Sequence, residues 1–428
     1  MIKTLVHRVI SIVPAPVRAL SISGIGAALG LVSEMIISNS LTAPDYALFR
    51  YSYSLVIIAS SFALFGASQA ITRAVATQEV TELAGDDAAS AFLLSFTCTL
   101  LTISSIAILA VMGILEISGP VLLGIVSLWI ILRVTFQMYR SVAIGRGKYL
   151  SAQLSDRIAL NAIPILVLAP ALWTSTPLTP IVALCAFLLS SALSLLIAKL
   201  SVGEYGVFRR MRLLNLRSIK LRFKSSAQLA VGDGADAFIR MGVVIVAAVN
   251  LDLTEVAVLA LAIRLTEALG LISSAASAVY SRAIAIEISS HDNAGVRPNS
   301  MMRHSLFCCL FVSICWIICL LYGDEITTAF GVNYDLDVNP LVITTMALLI
   351  KSALGPWNLA LFFLGRGATY CLISIIFSAV LVTSTLVLSD AFGLAGALAS
   401  YSTSLVLQSA AGAFYVRRVS GARPGLLI

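Results

Sequence analysis

Apolar residues run along this chain in blocks of membrane-crossing length. Uncharged stretches cover 51–72, 88–115, 305–323, 367–389 and 391–416, and the run 158–198 is interrupted by the turn-forming cluster 173–180. A helix needs roughly 20 apolar residues to cross about 30 Å of hydrocarbon. Each block therefore predicts one span, and 158–198 predicts two. Blocks of similar length that carry one or more charges fill the gaps, at 20–42, 118–142, 225–249, 254–281 and 339–365. The pattern predicts an all-α polytopic membrane protein with twelve transmembrane helices and no soluble domain.

The pattern is also written twice. Residues 67–76 return 209 positions later as 276–285, with five identities in ten. Gly24 and Gly26 recur as Gly232 and Gly234, the Leu41/Asp45/Ala47 spacing as Leu251/Glu255/Ala257, and Gly145-Arg146-Gly147 as Gly365-Arg366-Gly367. Four matches in one order indicate duplication. Six spans per half give both copies the same orientation, so the halves are predicted to be parallel repeats, as in transporters whose substrate path lies between two halves. The expected organisation is an N-terminal arm (1–18), a first six-helix lobe (19–200), a basic linker (201–224), a second six-helix lobe (225–416) and a tail (417–428), with a central cavity between the lobes.

Composition agrees with a lipid solvent: 59% of residues are hydrophobic and 11% charged, with a mean hydropathy of +0.99. Placing both termini inside puts 22 of the 28 Lys and Arg in cytoplasmic segments, five within spans and only Arg50 outside, which predicts a bacterial inner-membrane orientation. Acidic residues mark the outer loops, among them Asp45, Glu116, Asp252, Glu255, Asp324, Asp335, Asp337 and Asp390. The basic cluster 209–224 reads either as topology setting in a linker or as a contact for anionic membrane lipids. The seven cysteines lie within hydrophobic spans without metal-ligand spacing, and read as packing residues. His7, His291 and His304 are expected at or beyond span ends, which leaves no buried histidine base. No catalytic residue, metal, cofactor or nucleic-acid partner is expected, and no Walker-type loop is present for ATP.

The remaining chemistry is charge within the spans. An ionised side chain at a helix centre costs at least about 2.5–3.5 kcal/mol, so each needs a partner, a wet cavity or a function. The in-span set is Glu34, Arg133, Asp156, Arg157, Asp233, Asp236, Arg240, Arg264, Glu267 and Lys351. Asp156, Arg157 and Asp233 lie near span ends. Nearer the midplane are Arg133, Arg240, Arg264 and Lys351 against Glu34 and Glu267, a cationic excess. Asp233, Asp236 and Arg240 share one helix face, as do Arg264 and Glu267. The charged spans one, four, seven, eight and ten are expected to line the cavity, and spans three, six, nine, eleven and twelve to face lipid. One reading makes the cations a receptor for an anionic headgroup, with diphosphate the best match for arginine; the other makes them ion pairs that only fix packing. The repeated glycines read equally as hinges or as points of close approach, and the Gly-Arg-Gly tripeptides as tight turns.

Leu41-Thr42-Ala43-Pro44-Asp45-Tyr46-Ala47-Leu48-Phe49 resembles the turn between the first two helices of polysaccharide flippases. Phe330-Gly331-Val332-Asn333-Tyr334, the stretch from Gly355-Pro356 to Leu361, Leu364-Gly365-Arg366-Gly367 and Gly393-Leu394-Ala395-Gly396-Ala397-Leu398-Ala399 are similar to that family's later motifs, in order. The set resembles the Wzx-type O-antigen and exopolysaccharide translocases of the multidrug/oligosaccharidyl-lipid/polysaccharide (MOP) superfamily over about residues 20–416. Ala47 stands where glycine is usual. The resemblance implies alternating access that flips a polyprenyl-diphosphate-linked oligosaccharide across the membrane, in the company of polysaccharide polymerase and export machinery. For that substrate the charge pattern makes Arg133, Arg240, Arg264 and Lys351 candidate headgroup contacts, with Glu34, Asp233, Asp236 and Glu267 as candidates for ion coupling or cavity pairing. A multidrug or cation antiporter of the same superfamily is the alternative, followed by a membrane-embedded glycan polymerase or acyltransferase.

Overall fold

The computed structural model describes residues 15–77, 83–112, 119–174, 178–203, 216–289, 299–331, 339–421 and 423–427. Most of the expected N-terminal arm, much of the basic linker, His291 and the outer-loop acids Glu116, Asp335 and Asp337 lie outside the described residues. The described elements are helical: α1 (Ala15–Ser40), α2 (Ala43–Ala63), α3 (Ala67–Thr77), α4 (Leu83–Val111), α5 (Pro120–Gly145), α6 (Tyr149–Gln153), a π-helical turn (Leu154–Ala159), α7 (Leu160–Thr174), α8 (Pro180–Val202), α9 (Leu216–Ala247), α10 (Leu253–Ser289), α11 (Asn299–Ala329), α12 (Pro340–Leu354), α13 (Trp357–Phe363) and α14 (Gly367–Ser420). Among the described residues, eight helical stretches are long and apolar enough to cross a membrane. The long helices α2, α9 and α10 fall outside that set and carry much of the buried charge.

Local chemistry sets the helix starts. Thr42, Thr179 and Asn339 cap α2, α8 and α12, each accepting a backbone N–H of the first turn, and each is followed within two residues by a proline. Such a proline costs no intrahelical hydrogen bond and has φ preset for a helix. At 54 residues α14 would be about 81 Å long if straight, far beyond a bilayer. It folds back at Gly393 (φ 56). Hydrogen bonds between Gln408 and Ser374 (3.3 Å) and between Thr369 and Tyr415 (3.4 Å) show that its two arms run antiparallel.

Two predicted spans are interrupted. The run 51–72 breaks after Ala63, where Phe65 (φ 49) and Gly66 (φ 68) are both left-handed. The repeat-equivalent position to Gly66 is Ala275, which lies inside the unbroken α10. A glycine at one copy only thus lets the first half turn where the second runs straight. The run 339–365 breaks at Gly355 (φ 87) and Pro356. Here the tail returns: Leu426 and Leu427 donate backbone N–H groups to the Ala353 carbonyl at 2.7 and 3.3 Å. The Gly-Arg-Gly turns appear as read, with Gly147 (φ 71) and Gly365 (φ 67) supplying the reversal. Arg146 also ties its turn to the end of α8, donating to the Val202 carbonyl at 2.6 Å.

Helices of residues 15–202 pack mainly on each other, as do those of 216–420, and the two sets meet where α10 crosses α1 and α2 and where α9 crosses α2 and α4. One large apolar core runs through this junction, and a smaller one gathers around Ile284, Met301, Trp357 and Ala413. Lipid tails compete with apolar contacts, so polar ties and small residues carry much of the helix association. Trp129 donates to Ser191 at 2.9 Å and Ser95 to the Ala63 carbonyl at 2.9 Å. Acidic side chains (Asp45, Asp252, Glu255, Asp324, Asp390) mark one end of the bundle, its acidic end, and basic ones (Arg146, Lys148, Lys199, Arg366, Arg417, Arg418) the other, its basic end.

Three of the four repeated glycines serve close approach. A Cβ on Gly26 would meet Arg157 Cβ at 2.7 Å and its carbonyl oxygen at 2.8 Å, one on Gly232 would strike the Tyr370 ring and one on Gly234 the Phe62 ring, whereas Gly24 faces open space. Neither α1 nor α9 has a kink at these positions. Gly26→Ala should therefore cost about 1–3 kcal/mol, because backbone of the π-helical turn must move, while Gly24→Ala should be neutral or gain up to about 1 kcal/mol of helix propensity. Thermal unfolding of the two variants in detergent checks the contrast.

Candidate functional site

Glu34 on α1 is the centre of a buried charge network. Its carboxylate lies 2.6 Å from Arg50 Nη2 and 3.5 Å from Arg264 Nε, and it accepts the Tyr46 hydroxyl at 2.5 Å. Arg50 Nε in turn donates to the Tyr46 hydroxyl at 3.2 Å. The guanidiniums of Arg50 and Arg264 lie 5.1 and 5.8 Å from the Tyr53 ring centroid, so one aromatic ring is shared by two cations. Arg264 also approaches Glu267 at 3.8 Å. Glu34, Tyr46, Arg50 and Tyr53 belong to the first half, and Arg264 and Glu267 to the second. The network thus joins the halves, and its two carboxylates balance its two guanidiniums.

The structure corrects the expected place of Arg50. Counting positive charge places it in an outer loop; it lies about two turns into α2, with 3% of its surface exposed. A predicted span that begins at residue 51 excludes it, whereas the Thr42 cap starts the helix eight residues earlier. The approach to Glu34 is what makes its burial tolerable. His304 is a second correction. It lies inside α11 and is buried, with a ring nitrogen 3.0 Å from the Ser277 hydroxyl.

Toward the basic end, a cavity of about 530 Å³ opens beside this network. Arg133, Arg157, Arg240, Arg264 and Lys351 stand on its wall against two carboxylates, Asp236 and Glu267. Arg240 is tied to Asp236 at 3.2 Å. Arg157 shares Asp156 with Arg140, at 3.4 and 3.2 Å; the π-helical turn carries both Asp156 and Arg157. Arg133 and Lys351 have no ion pair among the described residues. They reach the cavity from α5 and α12, one from each half. Six of the eight candidate residues, Arg133, Asp236, Arg240, Arg264, Glu267 and Lys351, thus reach one cavity. Glu34 lies behind it in the junction, and Asp233 is turned toward the Tyr370 hydroxyl, which donates to it at 3.5 Å.

The division of spans by charge is only partly what the wall shows. Tyr53 and Ile57 of α2, His304 of α11, and Tyr401 and Leu405 of α14 also line the cavity. These residues carry no full charge, so the cost of charge in hydrocarbon could not flag them. Tyr53 had one signal available, its place one helical turn beyond Phe49 and Arg50 and two beyond Tyr46.

No family model matches this sequence, and no curated protein does either. Solved structures do match. The chain superposes on Lipid II flippase MurJ in an inward closed conformation with a TM-score of 0.67 and 14% identity, covering 93% of this chain and 86% of that one. It superposes on the inward-facing conformation of a multidrug resistance MATE family transporter of the MOP superfamily with a TM-score of 0.61 and 14% identity, covering 95% and 98%. A MOP superfamily transporter from Pyrococcus furiosus, described as having a binding pocket of reversed polarity that suggests a different function, gives 0.61 and 13%, covering 95% and 96%. The fold is therefore that of MOP superfamily transporters.

Truncating one member of the junction leaves the others buried without compensation. Glu34→Ala should destabilise the protein by about 3–5 kcal/mol, and Arg50→Leu by a similar amount. A double-mutant cycle between the two, read by thermal unfolding in detergent, should give a coupling well above the few tenths of a kcal/mol expected of independent sites.

Proposed function

We propose that the chain flips a lipid carrying a diphosphate-linked oligosaccharide, with twelve membrane crossings arranged as two six-helix lobes. Seven of the apolar helical stretches, the two arms of α14 and the charge-bearing helices α2, α9 and α10 supply the twelve. One observation carries the cargo reading: five cationic side chains against two carboxylates on the wall of one cavity, with Arg133 and Lys351 unpaired by any described residue. Two cations on the wall of one polar cavity, contributed by opposite halves, suit a divalent anion. A diphosphate offers the matching charge and several acceptor oxygens. The prenyl tail stays in lipid, where the exposed apolar faces of the helices already lie.

The Glu34–Arg50–Arg264 junction then closes the path toward the acidic end in this conformation. Opening on that side requires α10 to leave α1 and α2, which separates Arg264 from Glu34. Arg50 stays with Glu34 on the first half, so neither charge is stranded when the halves part. Among the solved structures of the same fold, a lipid flippase agrees with this cargo. Multidrug export of organic cations is disfavoured, because cations on the wall repel such a substrate. The positive-inside pattern orients the basic end toward the cytoplasm.

Arg133→Gln and Lys351→Gln are expected to lower export roughly ten- to hundredfold each, the worth of one charge-assisted contact, in protein that still inserts at normal levels. Deleting the protein should accumulate a diphosphate-linked oligosaccharide on the cytoplasmic face of the membrane, measured in extracted lipids. Unchanged lipid pools together with altered drug tolerance would reverse the assignment.

A further inference from the structure

The cavity wall changes chemistry along its length. On α10 the lining begins with Arg264 and Glu267, but beyond Gly270 its polar members are the hydroxyls of Ser273, Ser274 and Ser277. At 1.5 Å per residue, Ser277 lies about 20 Å along the helix from Arg264. His304 of α11 and Asn358 of α13 complete this stretch, beside Trp357. No Asp, Glu, Lys or Arg of α10 beyond Gly270, of α11 or of α13 lines the cavity among the described residues.

These groups are set for directional hydrogen bonding. The His304 ring is held by the Ser277 hydroxyl at 3.0 Å and by edge-on contact with the Tyr280 ring, 6.0 Å between centroids. Asn358 uses its side-chain oxygen to accept the Leu359 N–H at 2.9 Å, and its amide NH2 has no partner among the described residues. Uncharged donors and acceptors with no fixed charge suit a ligand rich in hydroxyls and poor in charge. An ionic group would gain no counter-charge here, and an apolar one would leave the wall's polar groups unpaired.

We propose that this charge-free stretch seats the neutral, polyhydroxylated part of the cargo, the sugars next to the diphosphate, with Ser277, His304 and Asn358 as its specificity-determining contacts. The cargo then lies in one polarity, diphosphate toward Arg133 and Lys351, sugars toward the basic end. This rests on the diphosphate-linked cargo proposed above.

Binding to the purified full chain tests it with two kinds of probe: a bare prenyl diphosphate, and a panel of the same diphosphate bearing a hexose, an N-acetylhexosamine or a deoxyhexose. The best sugar-bearing probe should bind at least about tenfold tighter than the bare one, as two or more neutral hydrogen bonds would give. Ser277→Ala and Asn358→Ala should each remove about three- to tenfold of that gain and leave bare-diphosphate affinity unchanged. His304→Phe should do the same and His304→Gln should restore part of it, which a purely structural role would not produce. Lys351→Gln should weaken both kinds of probe alike. If the bare diphosphate binds but no sugar adds affinity, or the three positions affect both probes equally, the sugar seat is overturned while the diphosphate reading stands. If no probe binds, or Lys351→Gln changes neither, the cargo reading fails and this proposal with it.

Discussion

A carboxylate held in a membrane interior must be neutralised where it stands, and Glu34 is where that requirement organises this protein. Its oxygens are met by one arginine from the next helix and by another from the opposite half of the chain. The desolvation of these groups is large, and mutual attraction in a low-dielectric setting offsets it only with close geometry and additional hydrogen bonds. Tyr46 supplies such a bond and the Tyr53 ring supports both guanidiniums. The halves therefore meet through charge as well as packing. Two apolar surfaces alone could slide or be replaced by lipid; a shared carboxylate has one position.

That constraint also separates paired from available charge on the cavity wall. Arg264 and Arg240 answer to nearby carboxylates, and Arg157 shares one with Arg140. Arg133 and Lys351 have no ion pair among the described residues. The cationic excess is concentrated by the structure on two residues of the same cavity wall, with the others engaged in ion pairs. Ion pairing accounts for Arg157, Arg240 and Arg264, and the headgroup proposal rests on Arg133 and Lys351.

The sequence motifs that recur in the two halves do not carry the same division of labour. The glycine turns at Gly147 and Gly365 are repeated. The break at Gly66 is not, since Ala275 replaces the glycine and α10 continues unbroken past the cavity. The unbroken helix is what carries Arg264, Glu267 and the serines down a single wall. Most of the lining accordingly comes from the second half, with Tyr53, Ile57, Arg133 and Arg157 as the first half's share.

Sequence by itself determined the solvent, the helical class and the charges that demand explanation, because in hydrocarbon composition and run length are direct statements of transfer free energy. It made Arg133, Asp236, Arg240, Arg264, Glu267 and Lys351 legible as members of one cavity for the same reason. It misplaced Arg50, since a charge within two turns of a loop reads as exposed until its partner is known. It misplaced His304 too, which lies only five residues into α11 and is buried by Ser277 and Tyr280 of the neighbouring helix. Only the tertiary structure decided which cations are neutralised and which remain open to a ligand. Pairing is a matter of a few ångströms between residues more than 200 positions apart, such as Glu34 and Arg264, and no spacing along one helix records it.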